Sequence, residues 1–145
     1  MEAMIKHPFL IVIIFCWSFL FSCTSSPKEQ SHVPTEQKVV SIDFQHAEKL
    51  RAEGAVFIDN RPAHKYQKGH IDGAVNLPFF QPGHSSNVMT KENLLKAIGD
   101  KSKVVFYCTG YNRAYHALKQ AQTWKIDKEM FWYQKGYAEW SQKSR

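Results

Sequence analysis

The chain has 145 residues, a formal net charge of +6 and 43% hydrophobic residues. That length holds one domain with its own core and excludes two of ordinary size, while the globular composition excludes a chain disordered throughout. The positive charges are scattered rather than gathered into one run. They describe a solvated surface that favours small oxyanions or anionic headgroups, and no nucleic-acid partner is expected.

Lys6 and His7 precede a 14-residue apolar run from Pro8 to Phe21. A membrane-spanning helix needs roughly 20 apolar residues, so this run has the length of a signal-peptide core. It ends in Leu20-Phe21-Ser22-Cys23, which resembles the lipobox of bacterial lipoproteins. The resemblance implies a lipoprotein signal peptide over residues 1–22 and a lipid on Cys23. The chain would then be anchored in the bacterial cell envelope, on a periplasmic or extracellular face. Thr24 stands where an Asp typically retains lipoproteins in the inner membrane, which leans towards the outer membrane if the source is Gram-negative. An uncleaved N-terminal anchor with an incidental Cys is the alternative. Residues 23–38 are polar and carry Pro27 and Pro34, the composition of a flexible tether with a reach of about 20 Å. After cleavage and lipidation Cys108 is the one free thiol in an oxidising compartment, with no internal disulfide open to it.

The domain is expected over residues 39–145. Val39-Val40 reads as a short strand, and Ser41 as the cap of a helix carrying Phe44, Ala47 and Leu50 up to Gly54. Ala55 to Ile58 is apolar throughout, the pattern of a strand buried on both faces. Ala74 to Leu77 is a further strand, closed by Pro78, and residues 79–89 form the longest irregular stretch, placed to border a cleft. A helix beginning at Thr90 carries Leu94, Leu95 and Ile98 and ends near Gly99. Val104 to Tyr107 is the next buried strand. Asn112 to Trp124 is a helix with Ala114, Ala117, Leu118 and Ala121 at three- and four-residue spacings. Met130 to Tyr133 is the last strand, and Tyr137, Ala138 and Trp140 belong to a terminal helix. Strands alternating with helices predict an α/β fold with a parallel sheet covered on both faces.

Ligands in such sheets sit beyond the carboxyl ends of the strands. There the sequence places Cys108-Thr109-Gly110-Tyr111-Asn112-Arg113, between a strand and a helix. The unpaired N–H groups and positive end of a helix stabilise an anion, so a Cys in this turn is favoured as thiolate, the nucleophilic form. Gly110 is expected to take a positive φ that curls the loop until N–H groups converge on the sulfur. Arg113 adds a forked donor for oxyanions, and Tyr111 is a pocket wall or an exposed aromatic. The histidines show no ligand spacing, and neither a metal site, a phosphate loop nor a dinucleotide fingerprint is expected.

These residues resemble the rhodanese family, whose active loop runs from a Cys through four residues to an Arg. Upstream, Asp59-Asn60-Arg61 is similar to the family's Asp-x-Arg, and Tyr66-Gln67-Lys68-Gly69-His70-Ile71-Asp72-Gly73-Ala74-Val75-Asn76 to its Tyr-x-x-Gly-His-Ile-x-Gly-Ala-x-Asn signature. Gly136-Tyr137-Ala138-Glu139-Trp140 is similar to its closing Gly-x-x-x-Trp. The resemblance implies a five-stranded parallel sheet with helices on both faces. It also implies a sulfurtransferase that moves sulfane sulfur from a small anionic donor such as thiosulfate to a thiol or cyanide-like acceptor; a monomer without a cofactor is expected. A Cys108 persulfide carries the sulfur, residues 109–113 form the substrate-binding loop, and Asp59 and Arg61 form a supporting ion pair. The loop holds a single basic residue where thiosulfate-specialised members often place more, so thiosulfate is expected to be a poor donor, and Pro62 stands where an acidic residue usually follows Asp-x-Arg, which alters a neighbour of the site. Competing readings are a binding or redox-sensing module on the same fold and a cysteine phosphatase or arsenate reductase. The phosphatase relatives use a loop one residue longer.

Overall fold

Every residue of the segment Val104-Val105-Phe106-Tyr107 is fully buried, which requires a strand covered on both faces. In the computed structural model, which describes residues 37–144 except Tyr111, this segment is the centre of a sheet. The expected signal peptide, Cys23 and nearly all of the tether lie outside the described residues. The strands are β1 (Val40–Ile42), β2 (Val56–Asp59), β3 (Val75–Asn76), β4 (Lys103–Tyr107) and β5 (Glu129–Tyr133). They align in the order β1-β5-β4-β2-β3 with every pairing parallel. The helices are α1 (Phe44–Ala52), α2 (Ala63–Gln67), α3 (Lys91–Ile98), α4 (Asn112–Thr123) and α5 (Gly136–Lys143).

Strand side chains alternate between faces, and the two cores follow that period. Val104, Phe106 and Cys108 meet Ile58, Leu94, Ile98 and the small-residue stripe of α4 on one face. Val105 and Tyr107 meet Phe57, Tyr133, Leu50 and Trp140, from α1 and α5, on the other. Ala114, Ala117 and Ala121 let α4 lie close to the sheet, since an alanine stripe keeps side-chain bulk out of the contact. Trp140 closes the second face among the rings of Phe44, Phe57 and Tyr133, with centroids 5.3–6.2 Å away.

The five-stranded parallel α/β architecture is the one expected, but four local details differ. Asp43, not Ser41, caps α1: its Oδ1 accepts from the His46 N–H at 2.9 Å, while Ser41 lies in β1. A carboxylate two residues further on competes better for the free N–H groups of a helix start. Helix α2 was not expected, being too short for any apolar period and having no buried residue. Leu95 faces solvent at 43% exposure while Leu94 and Ile98 are buried, so α3 buries a narrower stripe than three apolar residues suggest. Strand β3 has only two residues, because its partner β2 ends opposite Asn76.

The order of the strands fixes where a site can form. From β2 the chain moves outward to β3, and from β4 it moves the opposite way to β5. The loops after β2 and β4 therefore diverge and leave a crevice beyond the carboxyl ends of these adjacent strands. Asp59-Asn60-Arg61 leaves one, and Cys108 leaves the other.

Candidate active site

Cys108 follows the last residue of β4, 5% exposed, with its sulfur on the α4 face. The backbone around it is held from below by α5. The first N–H groups of a helix have no partner within it, and α5 has no side-chain cap. Instead the Tyr137 N–H donates to the Cys108 carbonyl at 2.8 Å and the Ala138 N–H to the Thr109 carbonyl at 3.0 Å. In a trans peptide the C=O and N–H point opposite ways. Pinning these two carbonyls towards α5 therefore turns the Thr109 and Gly110 N–H groups away from it.

Gly136 makes this approach possible. It adopts φ 57°, and a Cβ there would collide with the Cys108 carbonyl oxygen and stand 3.0 Å from its carbon. Gly110 does not take the positive φ expected of it, and a Cβ on it would meet only the Lys135 carbonyl oxygen at an ordinary 3.6 Å. The essential glycine lies on the supporting helix, not in the loop. A second correction concerns the sulfur's neighbour. The hydrogen-bond partner of Cys108 Sγ is the Gly110 carbonyl at 3.6 Å, not a ring of N–H groups, so in this conformation the thiol acts as donor.

The remaining loop residues divide. Thr109 and Asn112 are exposed, Gly110 and Arg113 half-buried, and Tyr111 lies outside the described residues. Arg113 is the second residue of α4 and sits with its guanidinium carbon 5.5 Å from the centroid of the Phe80 ring. Phe80 belongs to the irregular segment after β3, so that segment touches the first turn of α4. Two surface grooves, of about 400 and 560 Å³, are lined by other residues and do not include Cys108.

Across the crevice, Asp59 is fully buried and Arg61 is 3% exposed. Arg61 Nε donates to both Asp59 carboxylate oxygens at 2.9 and 3.0 Å, and Nη2 to Oδ2 at 2.5 Å and to the Gly69 carbonyl at 2.8 Å. Burial opposes the guanidinium charge, but the hydrogen bonds and charge of Asp59 hold Arg61 above its ordinary pKa. Its flat face packs on Tyr137 at 4.2 Å and on Tyr107 at 5.8 Å. Burial first, then the Asp59 charge, pushes the Tyr107 phenol up, so it stays neutral and accepts from the Ile71 N–H at 3.2 Å. The ion pair does not touch Cys108. It supports Tyr137, whose N–H supports the Cys108 carbonyl.

Sequence reasoning assigned no role to several of these residues. Asn76 Nδ2 donates to the carbonyls of Asp59 and Arg61, both at 2.9 Å, and so fixes the turn carrying the ion pair. Tyr137 and Gly136 were visible only as parts of a motif, and Phe80 carried no signal beyond its place in an irregular stretch. Among the described residues no group of three His, Cys, Asp or Glu side chains is placed to hold a metal ion.

Comparison with known proteins bears on the fold and the family. Rhodanese-like domain-containing protein 17 of Arabidopsis thaliana is 28% identical over 90 residues, covering 59% of this chain and 58% of the relative, so the chain spans less than two thirds of that protein's length. Among solved structures, an uncharacterized protein from Saccharomyces cerevisiae superposes with a TM-score of 0.56 at 20% identity, over 73% of this chain and 93% of its own. The human single-domain sulfurtransferase TSTD1 gives 0.55 at 22%, over 73% and 98%. A Rhodopseudomonas palustris protein described as a possible tyrosine phosphatase also gives 0.55 at 22%, over 73% and 82%. At these identities the structures share the fold and nothing finer. The rhodanese-like domain model, in contrast, matches residues 44–143, from the first residue of α1 to the last of α5, and the chain belongs to the rhodanese-like domain family.

Proposed function

We propose that this protein is a sulfurtransferase, anchored in a bacterial cell envelope, that carries sulfane sulfur on Cys108. The observation that carries the proposal is the place of Cys108 at the crevice between β2 and β4, in a loop whose carbonyls are held by α5. That arrangement turns the Thr109 and Gly110 N–H groups away from α5, and Arg113 opens the helix that follows the loop, so both are available to a sulfur anion. Cys108, as thiolate, attacks the outer sulfur of a small anionic donor. A Cys108–sulfur bond forms, the donor's own bond to that sulfur breaks, and the electron pair departs with the donor remnant, sulfite in the case of thiosulfate. A thiol or cyanide-like acceptor then takes the outer sulfur and restores the thiolate. The Gly110 carbonyl must move from its place beside the sulfur for the negative persulfide to settle, so loading is coupled to a small loop adjustment.

Mass spectrometry of the reduced, folded protein after mixing with thiosulfate, polysulfide or a persulfide donor reads this directly. Cys108 gains the mass of one sulfur atom, cyanide removes it, and Cys108→Ser gains none. The 5% exposure of Cys108 and the carbonyl beside its sulfur favour a second reading, a binding or redox-sensing module that transfers nothing. Absence of any mass gain from all three donors replaces the first reading with the second. The envelope assignment rests on Leu20-Phe21-Ser22-Cys23. A wild-type chain in the membrane fraction and a Cys23→Ser chain shifted out of it, or left as an uncleaved precursor, is the expected result. Cys23→Ser processed and retained as wild type contradicts lipidation.

A further inference from the structure

An exposed phenylalanine on a loop ordinarily calls for no explanation, but Phe80, 38% exposed, is pinned. Its N–H donates to Asn87 Oδ1 at 2.8 Å, and Asn87 Nδ2 donates to the Gln81 carbonyl at 2.7 Å. The His84 ring stacks on it with centroids 4.9 Å apart, and His84 Nδ1 accepts from the Ser86 N–H at 3.0 Å. Residues 80–87 are thus tied into a clasp whose outcome is a fixed, solvent-facing ring beneath the Arg113 guanidinium.

Arg113 is itself in an unfavourable place. The first turn of α4 holds no acidic residue, and a cation at the positive end of a helix is opposed by the aligned peptide dipoles. Among the described residues no carboxylate pairs with it. Among the described residues its guanidinium N–H groups have no hydrogen-bond partner, and these forked donors suit an oxyanion. A half-buried cation at the wrong helix end, steadied by a ring and short of an anion, is what an anion site looks like before its ligand arrives. It offers one positive charge and, immediately beside it, an apolar surface.

We propose that Phe80 is a specificity-determining residue of the donor site, selecting sulfur donors that join one anionic group to an apolar body. Organic thiosulfonates, R–SO₂–S⁻, are of this class, whereas thiosulfate brings two charges and no apolar part. The inference rests on the sulfur-transfer reading above. In the step it describes, the Cys108 proton has gone to solvent and the thiolate attacks the terminal sulfur of R–SO₂–S⁻. The new S–S bond forms, the S–SO₂ bond breaks, and the sulfinate R–SO₂⁻ leaves with the electron pair. The sulfonyl oxygens meet the Arg113 N–H groups, and R packs against the part of the Phe80 ring that His84 and Arg113 leave exposed.

Two measurements test it on the full chain. In the first, benzenesulfonate and methanesulfonate, unreactive monoanions that differ only in R, are titrated into the protein and into Phe80→Ala, Phe80→Leu and Phe80→Tyr. An aromatic contact gives roughly three- to tenfold tighter binding of benzenesulfonate to the wild type. Phe80→Ala abolishes that preference, Phe80→Leu lowers it, and Phe80→Tyr keeps it. In the second, Cys108 persulfide formation from benzenethiosulfonate and from methanethiosulfonate is timed by mass spectrometry. The ratio of the two rates falls by the same factor in Phe80→Ala, which cancels the intrinsic difference between the leaving sulfinates. A wild type that binds both sulfonates equally, or a Phe80→Ala variant that keeps the preference, overturns the inference while leaving sulfur transfer intact. If neither thiosulfonate loads Cys108 while thiosulfate, polysulfide or a persulfide donor does, the inference is overturned and sulfur transfer stands; if none of these donors loads it, sulfur transfer fails, and the sulfonate titration still decides whether Phe80 selects the anion.

Discussion

The Arg61 guanidinium donates four hydrogen bonds and lies near the rings of Tyr137 and Tyr107 while almost wholly removed from water. A buried ion pair is costly to assemble, and its net contribution to stability is small beside the cost of breaking it. Arg61→Ala leaves the Asp59 carboxylate buried without a counter-charge, and the expected loss is about 3–5 kcal/mol. Arg61→Lys keeps the charge but loses the forked donors and the flat face, so it recovers only part of that. Urea unfolding of the two variants reads this, and an Arg61→Ala midpoint equal to wild type would show that the pair is dispensable. The phenol of Tyr107 adds nothing to the charge of this cluster at ordinary pH, because its ionisation is pushed well above the usual tyrosine range, by burial before any neighbouring charge.

At the scale of elements, the loop bearing Cys108 takes its shape from helix α5. Gly136 and Gly110 separate this dependence from ordinary loop flexibility. Gly136→Ala forces a left-handed φ on alanine, about 1–2 kcal/mol, and drives its methyl into the Cys108 carbonyl. Its larger effect is on the site, since α5 must retreat and release the Cys108 and Thr109 carbonyls. Gly110→Ala meets only ordinary contact and is expected to change stability by less than about 0.5 kcal/mol. Persulfide loading is therefore expected to fall steeply in Gly136→Ala and to persist in Gly110→Ala. The reverse order would return the conformational role to the loop glycine. This contrast also marks how far the sequence is legible. Buried strands such as Val104–Tyr107 declare themselves, because two-sided burial leaves no polar position, and a Cys between such a strand and a helix points to the crevice. Which glycine bends, which carbonyl faces the sulfur and which ring lies under Arg113 depend on the approach of segments far apart in the chain. No local pattern encodes them. The cap of α1 is not legible for a related reason: Ser41 and Asp43 are both capping residues, and the pairing of β1 with β5 up to Ile42 decides between them.

At the scale of the whole molecule, the crevice exists because strand order reverses between β2 and β4, and the same two strands link the two cores. Val104 and Phe106 are held by one core, Val105 and Tyr107 by the other. Opening either face strips alternate residues of a single strand. The faces therefore cannot come apart separately, and residues 37–145, which contain both clusters, are expected to fold alone with one cooperative transition. Trp132 and Trp140 report the two faces independently, since they belong to opposite clusters and are 8% and 7% exposed. Two single-tryptophan forms of residues 37–145 serve as probes, one with Trp124→Phe and Trp140→Phe, the other with Trp124→Phe and Trp132→Phe. Within each form the fluorescence transition in urea is expected to coincide with the far-ultraviolet circular dichroism transition, although the two forms differ in midpoint through their own substitutions. Sulfur loading on Cys108 should vanish along the same curve, because its loop is supported by α5 from one core and by β4 from both. A form in which loading is lost well before either tryptophan responds would mean that the crevice opens as a separate unit, and that α5 guards the site by local unfolding and not by the stability of the whole domain.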